Sequence, residues 1–136
     1  PSIDTLDTIL VVLGSSMGEF FTETDSEQIV FGKADYISKS YEDTNITWLV
    51  PSAQKNAMEP IISELSYLGS VESDMPHEGE EFGYVLKGKI RVHVGKRTAD
   101  AGAGESFYYR AAKTHYIENT GKSEAVVIWL SCPPNF

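Results

Sequence analysis

The sequence predicts a mainly β fold, an antiparallel sandwich or small barrel, with a short helical segment at its N-terminus. After residue 27, apolar and polar residues alternate in short runs, and turns that contain Gly separate many of these runs. Before residue 27 the apolar residues recur at helical spacing instead. These observations place every predicted strand after the helices.

Residues 1–21 are predicted to form two short helices. Ser2 is a suitable N-cap, Gly14 fits a C-terminal stop, and residues 16–19 form a capping box before a last turn. The apolar face of the first helix consists of Ile3, Leu6, Ile9, Leu10 and Leu13. Helices this short are not stable alone, so they require a packing partner, either in this chain or in a domain that has been removed. The polar residues 22–27 then form a linker.

The predicted strands follow in regular succession, with loops at 51–57 and 71–76. They are Gln28–Phe31, Ala34–Ser40, Ile46–Val50, Glu59–Leu68, Phe82–Leu86, Ile90–Val94, Arg97–Ala101, Ser106–Tyr109, His115–Asn119 and Glu124–Ser131. Many short strands of this kind are typical of an antiparallel sandwich or barrel.

Composition limits the class of protein. The chain has 136 residues and 15.0 kDa, which corresponds to one domain or one domain with an appendage. Its net charge of -9 argues against binding nucleic-acid phosphates by itself, because such binding relies on clustered Lys and Arg. Its one cysteine, Cys132, fits a reducing cytosol. We also expect no membrane span and no signal peptide, so a cytoplasmic location is predicted.

Two of the three histidines and one carboxylate form the candidate site. His77 and His115 each lie near the start of a predicted strand, and Glu81 follows His77 by four residues. If the two strands are neighbours in a barrel, these three side chains converge in one cavity. Two imidazoles and a carboxylate suit a divalent transition metal such as Zn, Fe, Mn or Ni, or else a small polar ligand without metal.

The surroundings of the site are predicted from strand alternation. Glu81, Gly83 and Val85 share one face, and we expect the glycine to leave room above the carboxylate. Four tyrosines are candidates for lining the cavity, although alternation directs about half of them outward: Tyr84, Tyr108, Tyr109 and Tyr116. The predicted ligand-binding set is Met75, His77, Glu81, Tyr84, Tyr108 and His115.

These residues resemble the two motifs of the cupin family. His77, Glu81 and Gly88 resemble the second half of the first motif, and Gly104, His115 and Asn119 resemble the second. The resemblance implies a double-stranded β-helix, a small jelly-roll barrel. It also implies metal ligation by His77, Glu81 and His115, while the position of a fourth ligand is occupied by Met75. A thioether is a poor ligand for hard divalent ions, so the metal is expected to bind more weakly, or not at all.

The ends of the chain resemble a second family. Residues 1–21 are similar to the closing helices of a lambda-repressor-like (XRE-type) helix-turn-helix domain, and the chain ends in a Pro-Pro-Asn-Phe tail that such regulators also carry. The resemblance implies that residues 1–24 are a helix-turn-helix remnant with the start of a linker, and that 25–136 form the cupin domain. The chain begins at Pro1 rather than Met, so we expect that an N-terminal DNA-binding part is missing.

The expected function follows from the two resemblances. The chain is predicted to be the effector-sensing cupin domain of a bacterial transcriptional regulator that acts as a homodimer and contacts DNA only through the missing part. Its effector is expected to be an amine or another small polar metabolite, because the family includes putrescine-responsive repressors. The alternative is a stand-alone metal-dependent cupin enzyme, a dioxygenase or isomerase, using the same three ligands.

Overall fold

The computed structural model describes residues 28–51, 53–70 and 74–136. The chain divides into two units, Pro1–Val30 and Phe31–Phe136, and all nine strands of the described residues belong to the second. The helices and linker predicted for residues 1–27 lie outside the described residues. The predicted domain boundary after residue 24 lies there too and stays a prediction.

The described residues form strands joined by short turns, as the alternating pattern predicted. The strands are β1 (Ile37–Ser40), β2 (Thr44–Trp48), β3 (Glu59–Leu65), β4 (Glu80–Lys87), β5 (Lys89–Val94), β6 (Arg97–Gly102), β7 (Ser106–Arg110), β8 (His115–Asn119) and β9 (Ala125–Cys132). One 3-10 turn, Ala53–Lys55, lies between β2 and β3. Within the described residues no helix is long and apolar enough to span a membrane.

Several predicted strand boundaries were wrong, and the strand predicted at Ile46–Val50, for example, is β2 at Thr44–Trp48. Gln28–Phe31 is not a strand, and β1 begins only at Ile37 because a turn precedes it, in which the Asp35 amide donates to the Gly32 carbonyl at 2.9 Å. The strand predicted to end at Leu68 stops at Leu65, because Leu68 has a positive φ of 63° within a turn. Alternation continues across both turns in the sequence, so it could not reveal where pairing ends.

Two antiparallel sheets form the barrel. The larger has the strand order β1-β2-β3-β9-β4-β7 and the smaller the order β6-β5-β8. The fold is the predicted jelly roll, mainly β and antiparallel. β4 carries Glu81 and β8 carries His115. The two strands belong to different sheets and are far apart in sequence, but they face each other across the interior.

Alternate residues of each strand point between the sheets. On β4 and β9 the buried positions alternate strictly with exposed or half-buried ones, which is the pattern of a sheet with one wet face. The resulting apolar core contains Ile61, Leu65, Val85, Ile90, Ile117, Val127 and Trp129. Burial of these side chains accounts for most of the driving force for folding, at roughly 1.5–3 kcal/mol for each large one.

The C-terminal tail is attached to the larger sheet by a buried carboxylate. Glu59 is fully buried, and its Oε1 accepts hydrogen bonds from the backbone N–H groups of Asn135 at 2.9 Å and Phe136 at 2.7 Å. Its Oε2 accepts the indole N–H of Trp48 at 2.9 Å. The Phe136 ring packs on Trp129, with 5.1 Å between ring centroids, so the tail closes one side of the apolar core.

Candidate functional site

The structure brings His77, Glu81 and His115 together inside the barrel. Glu81 Oε2 lies 2.9 Å from His77 Nε2 and 3.1 Å from His115 Nε2, and the two Nε2 atoms are 3.3 Å apart. Glu81 and His115 are 1% and 0% exposed, whereas the His77 side chain is 18% exposed. The site is therefore buried, with its opening on the His77 side.

Backbone contacts position the three side chains. The His77 amide donates to the Ala111 carbonyl, and the Ala111 amide donates to the Gly79 carbonyl, at 2.8 and 2.9 Å. Gly79 has a φ of +110°, and a Cβ there would lie 2.3 Å from the Cys132 carbonyl oxygen. Only glycine fits this turn, which folds His77 back over the start of β4 and above Glu81.

A fourth side chain, Asp74, joins the cluster. Its backbone forms an isolated β-bridge with His115, with hydrogen bonds of 2.8 and 3.1 Å, and its Oδ2 lies 3.5 Å from His115 Nε2. Four side chains each offer one ligand atom, and these four atoms all lie within 4.8 Å of one another: Asp74, His77, Glu81 and His115. Asp74 was not predicted from the sequence, because it lies in a predicted loop and its partner His115 is 41 positions away in the chain.

Both imidazoles are held by backbone carbonyls. His77 Nδ1 lies 2.9 Å from the Glu78 carbonyl oxygen and His115 Nδ1 lies 2.8 Å from that of Lys113. A carbonyl oxygen only accepts, so each Nδ1 carries a hydrogen and donates it. In the neutral tautomer each Nε2 then directs a lone pair at the centre of the cluster, which is the form that binds a metal.

Tyr109 fixes the orientation of the Glu81 carboxylate. Its hydroxyl donates to Glu81 Oε1 at 2.6 Å and leaves Oε2 directed at the two imidazoles. Burial alone raises the pKa of the Glu81 carboxyl, but the hydrogen bonds from His115 and Tyr109 outweigh burial and hold that pKa below its usual range. Burial and the negative charge of Glu81 raise the pKa of Tyr109, so its hydroxyl stays a donor.

His115 is strongly basic in the absence of a bound cation. Burial alone lowers its pKa, but the hydrogen bonds to Asp74, Glu81 and the Lys113 carbonyl outweigh burial and raise the pKa to about 10. The cluster therefore attracts positive charge at its centre. A proton on Nε2 or a metal cation satisfies the same carboxylates, and the two compete for the same position.

The donor set fits a divalent transition metal. The three atoms Glu81 Oε2, His77 Nε2 and His115 Nε2 form a triangle with edges of 2.9, 3.1 and 3.3 Å. Ligands bound at about 2.1 Å on one face of an octahedron or tetrahedron lie about 3.0–3.4 Å from one another. Two imidazoles and one carboxylate in this arrangement could hold such a metal as a facial triad.

Three predicted ligand-binding residues lie outside this cluster. Tyr84 and Tyr108 are on the outward faces of β4 and β7, 40% and 60% exposed, and Met75 is 77% exposed in the loop before His77. The even-numbered residues of β4 and β7 point away from the cluster, although Tyr108 borders the smaller of the two cavities described below, so ligand binding by these three residues stays a prediction. Tyr109, one residue on, takes the inward position.

The space predicted above Gly83 is filled. A Cβ at Gly83 would lie 2.0 Å from the Phe107 ring, so the glycine makes room for that ring rather than for a ligand. Gly83 and Phe107 are register partners on β4 and β7. The ring also stacks with Tyr109 at 6.0 Å between centroids and thereby supports the tyrosine that holds Glu81.

Two cavities border the cluster. One, of about 430 Å³, includes Asp74 in its wall, together with Tyr41, Glu42, Asp43, Thr44, Ile46, Trp48, Ser70, Asn135 and Phe136. The other, of about 350 Å³, includes Tyr109 and lies at the edges of β6 and β7. The first contains three carboxylates and three aromatic rings, and none of its described lining residues is Lys or Arg.

Comparison with known proteins agrees with this architecture. Residues 67–131 match the cupin domain family. Over its full length the chain is 29% identical to the HTH-type transcriptional regulator PuuR of Escherichia coli and covers 75% of that protein.

Solved structures share the fold. An HTH_3 family transcriptional regulator from Vibrio cholerae is similar over 99% of this chain and 74% of its own length, with 21% identity and a TM-score of 0.62. A predicted oxalate decarboxylase from Thermotoga maritima is similar over 76% of this chain and 98% of its own length, with 18% identity and a TM-score of 0.67. Proteins of both regulatory and enzymatic description thus share this fold.

Proposed function

From the match of residues 67–131 to the cupin domain family, we propose that the chain is the small-molecule-sensing part of a DNA-binding transcriptional regulator. The similarity to PuuR, which extends over the whole chain, supports this proposal. DNA contact belongs to an N-terminal helix-turn-helix domain in this proposal, since the net charge of -9 disfavours binding to phosphates by the cupin domain itself. The effector binds inside the barrel.

The observation that carries the proposal is the buried polar cluster. Glu81 and His115 are both almost fully buried and directed at the same point as His77. Buried ionisable groups often contribute less stability than apolar groups of the same volume. A cluster of this kind, next to two cavities, is therefore better explained by binding than by folding.

We propose a divalent transition metal as the group bound by His77, Glu81 and His115, with Asp74 as a further oxygen donor. The triangle of donor atoms and the Nδ1-protonated tautomers support this assignment. When bound, such a metal supplies a Lewis-acidic centre with open positions at which a polar effector group can bind. The chain's own residues orient the ligands and keep bulk water away from them.

The effector class is proposed to be a small amine. The cavity beside Asp74 is bounded by the carboxylates of Glu42 and Asp43 and by the rings of Trp48 and Phe136. Carboxylates pair with an ammonium group, and aromatic faces attract cations by about 0.5–2 kcal/mol each. The effector then shifts the equilibrium between two arrangements of the DNA-binding domains in a dimer. The size of this shift is set by the difference between its affinities for the two arrangements.

A two-part experiment tests the proposal. Protein purified without chelators is analysed for metals, and we expect close to one transition-metal ion per chain. The same protein is screened by thermal unfolding against diamines, amino acids and sugars, and a diamine at 100 times its dissociation constant should add about 2.7 kcal/mol of stability. Stabilisation only by amino acids or sugars would contradict the amine assignment, and stabilisation by none would contradict effector binding.

The DNA-binding part has a separate test. The gene upstream of the codon for Pro1 should encode a helix-turn-helix domain in the same reading frame. A stop codon or an unrelated domain there would contradict the regulator proposal and leave the cupin domain and its metal site unaffected.

The facial arrangement of donors also favours a second candidate function, a metal-dependent dioxygenase or isomerase. In that case the two imidazoles and Glu81 hold a metal that activates dioxygen or polarises a substrate oxygen. Oxygen consumption by the Fe(II)-loaded protein with candidate substrates separates this function from sensing. Turnover would support an enzyme, and stabilisation by an amine without turnover would support the regulator.

A further inference from the structure

The barrel is open along the line where β6 and β7 meet. β6 is an edge strand of the smaller sheet and β7 is an edge strand of the larger one, and within the described sheets the two strands are not paired with each other. The cavity of about 350 Å³ lies at this opening, and we name it the β6–β7 cavity. Its described wall includes none of Asp74, His77, Glu81 and His115, so it is a space separate from the metal cluster.

Small side chains on β6 create the space. Ala101 is 7% exposed, and strand alternation puts Ala99 and Arg97 on the same inward face of β6. All three border the cavity. The two alanines contribute only methyl groups between the sheets, so they leave a gap that larger side chains at these positions would fill.

The inner wall of the β6–β7 cavity is apolar. Val92 and Val94 form its wall on β5, and the rings of Phe107 and Tyr109 form its wall on β7. The two rings are stacked, with an angle of 7° between their planes. The Tyr109 hydroxyl already donates to Glu81. The cavity therefore suits the apolar body of a small ligand, such as a ring or a short alkyl chain.

Arg97 brings a positive charge to the rim of the cavity. It is exposed, and none of the ion pairs between described residues involves it. Asp100 also borders the cavity, but it lies on the opposite face of β6, where its two carboxylate oxygens accept hydrogen bonds from Arg91 at 2.7 and 3.3 Å. Arg97 is therefore the cation at this cavity that is left to pair with a ligand, and a guanidinium pairs best with a planar anion such as a carboxylate.

Two lysines add to the positive charge at this end of β6. Lys96 precedes Arg97 in the turn between β5 and β6. Lys113 lies over the same turn, since a Cβ on Gly95 would be 2.9 Å from its Cδ. The chain as a whole has a net charge of -9 and repels anions at long range. An anion that binds here is therefore held by this local group of cations and not by the field of the whole protein.

We propose that the β6–β7 cavity binds a small carboxylate with an apolar body, of the arylacetate or short alkanoate class. Its carboxylate pairs with Arg97, and its body lies between Ala99 and the rings of Phe107 and Tyr109. This ligand is opposite in charge to the amine proposed for the cavity beside Asp74, and it is bound by different residues. The inference goes beyond the proposed function, and either assignment can fail without the other.

Calorimetric titration of the 136-residue chain with phenylacetate and with hexanoate tests the proposal. We expect at least one of them to bind at a single saturable site per chain. The neutral amide of the acid that binds should bind about tenfold more weakly, because it has the same shape without the charge. Binding of neither acid, or equal binding of the amide, would overturn the proposal. The titration is repeated with a chelator present, because a carboxylate bound to the metal would then be lost, and such a loss would also overturn it.

Two arginine variants test the pairing of charges. Arg97→Gln should raise the dissociation constant of the bound acid about three- to tenfold, as expected for a partly exposed ion pair. Arg110→Gln removes the same charge from β7, but the Arg110 side chain is 83% exposed and lies outside the cavity wall. It should leave the affinity unchanged. An equal loss in both variants, or no loss in Arg97→Gln, would contradict pairing with Arg97.

A second pair of variants tests where the apolar body lies. Ala99→Leu fills part of the cavity from an exposed position on β6, so it should weaken binding of the acid about tenfold without disturbing the core. Ala112→Leu makes the same change at an exposed position outside the cavity wall and should have no effect. Circular dichroism checks that both variants are folded. A folded Ala99→Leu variant with unchanged affinity would place the ligand elsewhere and overturn the proposal.

Discussion

The interior of the barrel has an apolar half and a polar half, and the same two strands contribute to both. On β4, Glu81 and Val85 point to the same side, and on β8, His115 and Ile117 do so. All four are at most 1% exposed. They are equally buried, but the apolar pair is stabilised by packing alone, whereas the polar pair depends on hydrogen bonds of defined length. The apolar half therefore maintains the fold, and the polar half maintains a binding geometry.

The largest effect should come from the apolar half. Ile117→Ala leaves a cavity in a close-packed region, and we expect the free energy of unfolding to fall by about 2–5 kcal/mol. Urea denaturation measures it. Ile37→Ala is the control, because Ile37 is 57% exposed and its truncation should cost much less. Equal losses in the two variants would show that the apolar half does not maintain the fold.

Glu81→Gln should weaken metal binding by the polar half without unfolding the protein. The amide keeps the size of the side chain but removes its negative charge, so metal affinity should fall more than about 100-fold, beyond the loss typical of residues that only support ligands. Metal analysis after dialysis measures retention, and circular dichroism checks folding.

Glu59→Gln provides the comparison for that variant. Glu59 is a buried carboxylate on β3, which β9 separates from β4, and both it and Glu81 are register partners of Ser131 on β9. Its hydrogen bonds come from the C-terminal tail and from Trp48, so the substitution should reduce stability and leave metal retention unchanged. Equal metal loss in both variants would contradict the assignment of Glu81.

Tyr109→Phe tests whether the tyrosine hydroxyl supports metal binding by orienting Glu81. It removes one hydrogen bond to Glu81 and keeps the ring that packs on Phe107, so we expect metal affinity to fall about 10–100-fold. The free energy of unfolding should fall by about 1–3 kcal/mol, because the buried Oε1 of Glu81 loses its donor. Competition with a chromophoric chelator measures this affinity. Tyr108→Phe, one residue away on the outward face, should have no effect on it. A similar loss in both would mean that the hydroxyl of Tyr109 does not orient the carboxylate.

The smallest effect expected is the change in metal affinity caused by a single unit of pH. Protons compete with the metal for the imidazole Nε2 atoms, so affinity should decrease as pH falls from about 8 to about 6, by up to about tenfold per pH unit for each proton displaced. The raised pKa of His115 means that this competition already operates at neutral pH. The same chelator titration, repeated across pH, measures it, and an affinity independent of pH would contradict metal binding at these nitrogens.

The sequence predicted the fold class and the convergence of three side chains, for physical reasons. Strand alternation is local, and the spacing of His77 and Glu81 is local too, so both can be read directly. Asp74 could not be found in this way, because it reaches the cluster only through a bridge to His115 on a distant strand. An acidic residue three positions before His77 was the only available indication.

The tyrosines show a second limit. Alternation predicts that neighbouring residues of a strand point to opposite faces of the sheet, but it does not predict which face is buried. That choice depends on the pairing of β7 with β4, where Tyr109 is opposite Glu81 and Tyr108 is opposite Phe82. Without this register Tyr108 and Tyr109 were equivalent candidates, and the space above Gly83 could not be assigned to the Phe107 ring.

The carbonyl contacts of the two histidines have a consequence for engineering the site. Main-chain atoms of Glu78 and Lys113 set the hydrogen position on each ring, so replacing the side chains at these two positions leaves the ring chemistry unchanged. Changing the path of the chain there, for example by shortening the turn before β8, would free the His115 ring to rotate and exchange its tautomer. The donor atoms would remain present while the site lost its preorganised form.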